Sequence, residues 1–344
     1  MTPSAEHLAY HAAVLEKQAN YRDLGRRFEK LGSWKAVLED IRKGGRGPEP
    51  ELSWQTLERS GSRLVLRTDH DFPPLLREIP WPPHAIYVRG KLPEVERSLI
   101  AVVGTRKATP EGKETARTFA QTLAEAGVGI ASGLALGIDG AAHEGALAAG
   151  GYTAAVLATG PDIIYPRYHE KLGRRILEQG GALISEYPPG SPAMPYRFLE
   201  RNRLVSGLAQ GTLIIEAPLR SGSRATARFA VEQDRAVFVL PGPARHPNFA
   251  GSHELIRQGA ELVTEPDHIL TALGLKNEPG LAEDRLDSEE ESAIMTALRA
   301  AAGPLDIDKI VERAHLEARV VNQALSFLII KGLVEETDGG YAAR

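Results

Sequence analysis

Two groups of residues suited to phosphate binding lie on either side of a short apolar segment, residues 212–215. Arg201, Asn202 and Arg203 precede it, and a small polar turn that begins at Ser221 follows it. Guanidinium groups bind phosphate oxygens in a bidentate way. A Gly/Ser turn that opens a helix offers unpaired backbone N–H groups at the positive end of the helix dipole. Together the two groups predict a ligand that carries phosphates.

Comparable groups follow other apolar segments in the middle of the chain. Gly104, Thr105 and Arg106 follow one segment, and Ser132 and Gly133 follow the next. Arginines and aromatic residues accumulate in the same parts of the sequence: Arg106, Arg167, Arg197, Arg201, Arg203, Arg220, Arg224, Tyr165, Tyr168, Tyr196 and Phe198. Arginines that share one edge form an anion groove, and aromatic rings stack on bases. This combination favours single-stranded nucleic acid over a lone nucleotide.

The glycine spacing argues against the common nucleotide cofactors. Gly133, Gly137 and Gly140 are spaced G-x-x-x-G-x-x-G, which is not the dinucleotide fingerprint, and no Gly-Lys-Ser/Thr of a P-loop occurs. NAD and ATP chemistry are therefore disfavoured, and we expect no cofactor. The absence of cysteine from the sequence excludes disulfides, thiolate catalysis and cysteine zinc sites.

Three ionisable residues near these turns are candidates for acid–base chemistry. Asp139 and His143 are four positions apart, as in an acid–base or metal-binding pair. We favour the alternative that Asp139 caps a helix and His143 bonds locally. No third ligand of suitable spacing appears, so we expect no metal. Glu216 is either a general base or the ion-pair partner of Arg201 or Arg203.

Six apolar runs that alternate with helical patterns position these groups. They cover residues 99–103, 128–131, 153–158, 182–185, 212–215 and 236–240. Nearly continuous hydrophobic runs are typical of parallel strands buried on both faces. Between the first two runs, Thr109 is the predicted N-cap of a helix with Pro110 in its first turn. The repeated units predict an α/β fold with a doubly wound parallel sheet and ligands at the carboxyl ends of its strands.

The segments before the sheet have different patterns. Residues 5–45 predict two amphipathic helical pieces that are broken at residues 31–33, with Ser33 as the N-cap of the second. Residues 72–93 are rich in proline, which argues against regular helix. We therefore predict an extended segment there that lies against the next domain.

The tail of the chain predicts a winged helix. An acidic linker, residues 276–291, leads to three helical stretches and a hairpin that turns at Asp338, Gly339 and Gly340. The helical stretches are residues 292–301, 307–314 and 317–331. Residues 280–344 contain 7 Lys/Arg against 13 Asp/Glu, and the whole chain has a net charge of −4. Because duplex binding needs basic residues, we expect this tail to contact protein rather than duplex DNA.

Signals for secretion and for membrane insertion bear on the cellular location of the protein. The N-terminus lacks the charged-then-apolar pattern of a signal peptide. No apolar run approaches the roughly 18 residues of a membrane span. We therefore expect a cytoplasmic protein with no membrane span.

An ordered series of motifs runs through the middle of the chain: VVGTRKATPEG, SGLALGIDGAAHEGAL, AVLATGPDIIYP, ALISEYPPG, FLERNRLVSGL, IIEAPLRSGSRATARFAVEQDRAVFVLPG and GSHELIRQGA. This series strongly resembles the DNA-processing protein A family (DprA, also called Smf). The likeness covers essentially the whole chain, and the ordered run is far more specific than any one motif.

The resemblance implies both a fold and an activity. The fold is an extended Rossmann domain (residues 66–275) between a small helical domain similar to sterile-alpha-motif modules (1–65) and, after the linker, a winged helix (292–344). The implied protein is not an enzyme. It binds single-stranded DNA without sequence preference, protects incoming DNA in natural transformation and homologous recombination, and loads a RecA-type recombinase. Members form a homodimer through the Rossmann domain.

The family motifs assign the DNA-binding residues by position. These are Gly104, Thr105, Arg106, Arg167, Arg201, Asn202, Arg203, Ser221, Gly222 and Ser223, and the predicted set also includes Lys107, Ser132, Gly133 and Lys171. Three sites depart from the family pattern. Arg167 stands where members often have lysine, and His169 stands where they commonly have asparagine. The pair Leu199-Glu200 stands where they usually have proline or a similar residue. The departures remove no phosphate-binding group, so the assignment is retained.

Two alternatives to a non-catalytic DNA-binding protein remain open. A nucleotide-cleaving hydrolase is one, because some phosphoribohydrolases share a Rossmann-like sheet with glycine-rich phosphate turns. It needs a general acid or base, for which Asp139 and Glu216 are the candidates. A weaker alternative is a scaffold whose tail recruits partners. Release of free base from nucleoside monophosphates distinguishes the hydrolase from the DNA-binding protein.

Overall fold

The computed structural model describes residues 3–43, 47, 49–275, 288–301, 303–331, 333–337 and 339–343, with the backbone only for residue 330. The chain divides into two compact units, Met1–Ile269 and Leu270–Arg344. In the described residues, no helix combines the length and the apolar character that crossing a membrane requires.

Four helices form the N-terminal part of the first unit: α1 (Ala5–Glu16), α2 (Tyr21–Leu31), α3 (Trp34–Ile41) and α4 (Pro50–Arg59). Ser33 caps α3, as predicted, by accepting the N–H of Ala36 at 3.2 Å. Tyr10 and Leu24 are fully buried among these helices, and Tyr87 of the sheet belongs to the same hydrophobic core. The helices therefore share their core with one end of the sheet.

A nine-stranded sheet forms the centre of the first unit. Its strands are β1 (Arg63–Leu66), β2 (Ala85–Gly90), β3 (Leu99–Val103), β4 (Gly129–Ser132), β5 (Thr153–Leu157), β6 (Ala182–Ser185), β7 (Gly211–Ile214), β8 (Ala236–Val239) and β9 (Glu261–Leu262). Their order is β1-β2-β6-β5-β4-β3-β7-β8-β9, and all pairs from β6 to β9 are parallel. The predicted doubly wound parallel sheet is confirmed.

Two antiparallel strands extend the sheet at one edge. β2 pairs with β6, where Tyr87 lies opposite Ser185, and β1 pairs with β2. The prediction of an extended segment is confirmed for β2. The exclusion of helix from the same proline-rich passage is wrong for α5 (Pro74–Glu78). Pro74 stands in the first turn of α5, where its missing N–H has no helical acceptor in any case.

Helices alternate with the parallel strands. They are α6 (Pro110–Glu125), α7 (Ile138–Ala148), α8 (Glu170–Glu178), α9 (Pro195–Gly207), α10 (Gly222–Glu232), α11 (Ala250–Arg257) and α12 (Pro266–Ala272), with short 3-10 helices at Arg167–His169 and Pro247–Phe249. Thr109 caps α6, as predicted, by accepting the N–H of Gly112 at 2.9 Å. Phe119 and Leu123 lie on its buried face.

The direction of winding changes between β3 and β7. The chain continues from β3 through β4, β5 and β6 on one side and returns to β7, β8 and β9 on the other. Loops that leave two such neighbouring strands pass to opposite faces of the sheet, so a crevice opens beyond their carboxyl ends. Because Gly104 directly follows β3, the predicted phosphate-binding turn lies at this crevice.

The second unit contains the elements of a winged helix. They are α13 (Glu289–Arg299), α14 (Ile307–Ala314), α15 (Ala318–Ile330), β10 (Val334–Thr337) and β11 (Gly340–Ala343). Ile294, Ile310 and Leu328 are fully buried in its core, and β10 pairs antiparallel with β11. The predicted winged helix is confirmed, although its turn residue Asp338 lies outside the described residues.

The predicted acidic linker, residues 276–291, is only partly covered by the structure. Residues 276–287 lie outside the described residues. The last residues of the predicted range belong to a helix, because Ser288 caps α13 by accepting the N–H of Glu291 at 3.2 Å. Glutamates in the first turn of α13 interact favourably with the helix dipole, which explains why an acidic segment starts a helix here.

Two histidines of the first unit are buried in the neutral form. His11 lies 3.0 Å from the hydroxyl of Tyr87 through its Nδ1, and His143 lies 2.7 Å from the hydroxyl of Thr153. Burial lowers the pKa of His11 to about 4 and that of His143 to about 3, because the charged ring loses its hydration. Both pKa values lie below the ordinary value of 6.5.

We expect the free energy of unfolding to fall as the pH drops below about 6.5. The unfolded chain takes up protons on His11 and His143 at a pH where the folded chain does not. The stability contributed by these groups is present above pH 6.5 and is lost as the pH falls toward 4 and 3. The loss is up to about 1.4 kcal/mol per pH unit for each histidine. Urea denaturation at several pH values measures it.

Replacement of single histidines tests the assignment. His143→Gln keeps a polar group beside Thr153 but does not titrate, so its pH dependence should be shallower than that of the wild type. His70 is exposed, and His70→Gln should keep the wild-type pH dependence. An unchanged pH dependence in the His143 variant would contradict the assignment.

Candidate nucleic-acid interface

A cavity of about 560 Å³ lies beyond the carboxyl ends of β3, β4 and β7. Its wall consists of the loops that follow β3 and β4, the side chains of α9, the segment after β7 with the first turn of α10, and Tyr165. The predicted site residues in this wall are Gly104, Thr105, Arg106, Gly133, Arg201, Asn202, Ser221, Gly222 and Ser223. The fold therefore brings together most of the predicted site, from four separate segments of the chain.

Arg201 places a positive charge in the buried part of the cavity wall. The residue is only 4% exposed, and its Nη1 donates to the carbonyl oxygen of Gly133 at 2.7 Å and to that of Val156. Its buried Nε has no hydrogen-bond partner in the described part of the chain. Burial lowers the pKa of Arg201 to about 10, an effect that Asp139 opposes. The guanidinium is therefore still charged at neutral pH, where low dielectric strengthens its attraction for an anion.

Asp139 braces the loop that contacts this arginine. Its carboxylate accepts the N–H groups of Gly133 at 3.2 Å and Ala135 at 3.4 Å. Burial raises its pKa, and Arg201 opposes that shift. The N-cap of α7 is Gly137, so the prediction that Asp139 caps the helix is wrong. His143 lies beside the hydroxyl of Thr153 on β5 rather than bonding within its own turn, and it forms no acid–base pair with Asp139 in this structure.

The loops after β3 and β4 approach each other at Gly137. This residue has a φ of +83°, and a Cβ atom added to it would lie 2.4 Å from the carbonyl oxygen of Thr105. A side chain cannot fit there without displacing the loop that includes Arg106. The glycine therefore sets how closely two walls of the cavity approach.

Glu216 braces the loop after β3. The residue is fully buried, and it accepts the N–H and the hydroxyl of Thr109 and, at 2.7 Å, the side-chain amide of Asn248. The predicted ion pair with Arg201 or Arg203 is not formed. Because the carboxylate is occupied by three donors outside the cavity wall, Glu216 is also poorly placed to act as a general base.

The first turn of α10 presents backbone N–H groups to the cavity. The hydroxyl of Ser221 caps the helix by accepting the N–H of Arg224 at 3.4 Å. Asn202 donates to the carbonyl oxygen of Gly222 at 3.3 Å, which holds α9 against this turn. A helix start with an arginine nearby provides two different kinds of hydrogen-bond donor to an anion, the backbone N–H groups and the guanidinium.

An aromatic and apolar rim borders these charges. The guanidinium carbon of Arg106 lies 5.0 Å from the ring centre of Phe198, which in turn lies 5.6 Å from that of Tyr165. Tyr165 is 47% exposed, so part of its side chain is accessible to a ligand, and aromatic rings stack on bases. Tyr168 and Tyr196 are exposed but do not line the cavity.

Arg203 and Arg197 face away from the cavity, contrary to the predicted cluster. Arg203 donates to both carboxylate oxygens of Glu186 at 2.7 Å, and Arg197 lies over the ring of Tyr187 at 4.2 Å. Positions 201 and 203 are about 200° apart around a helix, so they cannot share one face. Of the seven arginines named in the sequence analysis, Arg106, Arg201 and Arg220 line the cavity.

Four further predicted residues lie outside the cavity wall. Ser132 is buried and donates to the carbonyl oxygen of Val102 at 2.6 Å, so it stabilises the sheet. Lys107, Arg167 and Lys171 are exposed; Arg167 lies in the 3-10 helix before α8, and Lys171 lies in the first turn of α8. They are available to a ligand that extends beyond the cavity.

His169, a departure from the family pattern, has a structural contact. It is buried, and its Nδ1 lies 2.9 Å from the carbonyl oxygen of Leu134. Leu134 follows Gly133 in the loop after β4 and has a φ of +55°, an uncommon conformation for a side chain of this kind. His169 thus connects the segment before α8 to a wall of the cavity.

Sequence reasoning missed the apolar part of the wall. Leu199, Val205 and Pro218 line the cavity beside the charged groups. Val205 lies four residues after Arg201, so the helical period indicates it once the inward face of α9 is known. Pro218 lies in an irregular segment and gives no such signal.

Comparison with known protein families shows which family the chain belongs to. Residues 63–274 match the family described as DNA recombination-mediator protein A. This match covers more than half of the chain. The chain belongs to the DNA-processing protein A family. Residues 277–340 match the DprA winged helix domain.

Curated relatives match most of the chain. Protein Smf of Escherichia coli is 42% identical over 300 residues, which cover 85% of this chain and 80% of that protein. The putative DNA processing protein DprA of Mycobacterium tuberculosis is 41% identical over 305 residues, covering 83% of this chain and 78% of that protein. The resemblance seen in the sequence motifs is thereby confirmed.

Solved structures of the family have the same fold. DNA processing protein A from Streptococcus pneumoniae matches with a TM-score of 0.66 at 31% identity, over 79% of this chain and 98% of that chain. DNA processing protein A from Helicobacter pylori matches with a TM-score of 0.56 at 31% identity, over 62% and 95%. The Helicobacter pylori structure is described as giving insight into a single-stranded DNA binding mode.

Gly137→Ala should lower the free energy of unfolding by roughly 1–3 kcal/mol, because the new Cβ combines backbone strain with a clash. Gly150→Ala is the matched control. Gly150 also has a positive φ, +65°, but no atom lies within 4 Å of its added Cβ. The control should lose only about 1 kcal/mol. Urea denaturation compares the two, and equal losses would contradict the close approach of the loops.

Proposed function

We propose that this protein binds single-stranded DNA in the cavity without sequence preference. The observation that carries the proposal is the buried guanidinium of Arg201, which shares one cavity with the exposed Arg106 and the start of α10. Each of these groups attracts a phosphate, and together they suit a sugar–phosphate backbone. The Helicobacter pylori relative, which is described for its single-stranded DNA binding mode, supports the same conclusion.

The chemistry of the wall explains the lack of sequence preference. Arginines and backbone N–H groups contact phosphates, which are the same for every base. The rings of Phe198 and Tyr165 offer stacking surfaces, and stacking tolerates any base. The exposed Lys107, Arg167 and Lys171 extend the basic surface for neighbouring nucleotides.

A nucleotide-cleaving reaction is not favoured by the geometry. Such a reaction needs a carboxylate that can exchange a proton with the substrate. Asp139 accepts two backbone N–H groups, and Glu216 is bonded by Thr109 and Asn248. Both carboxylates are engaged in holding loops, so we propose a non-catalytic DNA-binding protein.

The wider role that we propose is that of a recombination mediator. The protein protects incoming DNA in natural transformation and homologous recombination, and it loads a RecA-type recombinase onto the strand. The family description, a DNA recombination-mediator protein, supports this role. We place the protein in the cytoplasm, where a recombinase works.

We further propose a homodimer through the Rossmann domain. β9 ends the sheet with only two residues, and Leu262 on it is 48% exposed. The resemblance to the DNA-processing protein A family supports this dimer, whereas a two-residue edge strand is too short to favour strand pairing with a second copy. For the winged helix we propose a protein partner, because the acidic composition of this domain disfavours duplex DNA.

Arg106→Ala should weaken the binding of single-stranded oligonucleotides and reduce its salt dependence. Removing one phosphate contact lowers the slope of log affinity against log salt by about 0.7 for a single strand. Fluorescence anisotropy with labelled oligonucleotides of several sequences, at a series of salt concentrations, measures both quantities.

Arg59→Ala is the control for this measurement, because Arg59 is an exposed arginine at the end of α4. It should bind with the affinity and salt slope of the wild type. Strong preference of the wild type for duplex DNA, or equal affinity and slope in the Arg106 variant, would contradict the assigned site.

Recombinase loading is tested on single-stranded DNA that is already covered by a single-strand-binding protein. Adding the wild type should shorten the lag before a RecA-type recombinase forms filaments, whereas Arg106→Ala should shorten it less because it holds the strand more weakly. Recombinase ATPase activity reports filament formation. A lag that is unchanged by the wild type would contradict the mediator role while leaving DNA binding intact.

A further inference from the structure

α9 has two different sides. Toward the cavity it places Phe198, Leu199, Arg201, Asn202 and Val205. Away from the cavity it places an anchor row that consists of Arg197, Glu200 and Arg203. Residues three apart lie along one side of a helix, so the row forms a continuous stripe. The helix that positions the cavity donors is therefore held from its other side.

Two residues that directly follow β6 hold the anchor row. Arg203 donates through Nη2 to both carboxylate oxygens of Glu186, each at 2.7 Å. Tyr187 donates its hydroxyl to Glu200 at 2.7 Å, and its ring centre lies 4.2 Å from the guanidinium carbon of Arg197. Every member of the row is thus fixed to the same end of one strand.

The N-terminal helices reach the same point. Tyr21, the first residue of α2, donates its hydroxyl to the carbonyl oxygen of Glu186, and its ring centre lies 5.8 Å from that of Tyr187. The side chains of Arg203 and Glu186 are only 15% and 5% exposed. Breaking a pair with so little solvent around it leaves an uncompensated charge, which is strongly unfavourable.

We infer that Glu186 and Arg203 are positioning residues for the cavity, and that Tyr21 couples the N-terminal helices to them. The inference rests on the proposed function, because DNA affinity is its readout. Neither Glu186 nor Arg203 lines the cavity. They fix the rotation of α9, and this rotation sets Arg201 against the loop after β4 and Asn202 against the first turn of α10. A displacement of about 1 Å is enough to disperse donors that must converge on one phosphate.

Direct phosphate binding by Arg203 is the competing explanation, and the sequence Arg201-Asn202-Arg203 suggests it. The contacts argue against it, because the charge of Arg203 is already neutralised by Glu186. A phosphate that approached Arg203 would also approach this carboxylate and be repelled. The two explanations predict opposite effects for removal of the carboxylate.

Full-length Arg203→Ala and Glu186→Gln should each bind single-stranded oligonucleotides about tenfold more weakly than the wild type at fixed salt. The slope of log affinity against log salt should stay at the wild-type value, because no phosphate contact is removed. Tyr21→Phe, which removes a single hydroxyl, should weaken binding by a smaller factor with the same slope. Fluorescence anisotropy over a salt series gives both quantities.

Arg117→Ala is the matched control. Arg117 joins α6 to α7 through Glu144 at 2.8 Å, so this variant also loses an ion pair between elements, but away from α9. It should bind with wild-type affinity. The reversed pair, Arg203→Glu with Glu186→Arg, should recover most of the affinity that Arg203→Glu loses alone. Thermal melts show which variants are folded. If an Arg203 variant is not folded, Arg203→Lys is measured in its place.

Three results would overturn the inference. A slope that falls by about 0.7 in Arg203→Ala means that Arg203 contacts phosphate directly. Tighter binding by Glu186→Gln than by the wild type also means that Arg203 contacts phosphate directly, because the substitution removes the carboxylate that neutralises the arginine. Wild-type affinity in folded variants means that the pair does not position α9. Failure of the wild type itself to bind single-stranded DNA would contradict the proposed function and remove the basis of the inference.

Discussion

Burial of the Arg201 guanidinium is the constraint on which the cavity depends. A charge at 4% exposure must be compensated by nearby dipoles and charges, and here the carbonyl groups of Gly133 and Val156 and the carboxylate of Asp139 provide them. Gly133 has no side chain, which leaves room for the guanidinium against its backbone. The loop after β4 therefore has to fit around the arginine, and the arginine remains charged at neutral pH because of that fit.

The remaining walls are fixed by contacts of the same kind. Glu216 holds the loop after β3, and Asn202 holds the first turn of α10. The carboxylates that resemble catalytic groups in the sequence are thus bound to the backbone or to side chains that shape the cavity. These bonds leave both carboxylates poorly placed to exchange a proton with a ligand in the cavity.

Most of the fold was predictable because its signals are local and periodic. Continuous apolar runs identified the parallel strands, and Thr109 and Ser33 were recognised as helix caps because capping depends on a few neighbouring residues. The site was predicted less completely. The partners of Arg203 and Glu216 depend on which residues the fold brings near them, and Glu186 and Asn248 lie too far along the chain to be identified from spacing.

The sequence by itself determined six parallel strands of the sheet with the helices between them, the winged helix and the family to which the chain belongs. These follow from hydrophobic periodicity, helix caps and ordered motifs. Each of these signals depends only on residues that are close together in the sequence. The tertiary structure alone decided that Arg201 faces the cavity and that Arg203 forms an ion pair with Glu186. Two charges that are two positions apart in one motif face different sides because a helix turns by about 100° per residue, so their roles depend on what packs against each side.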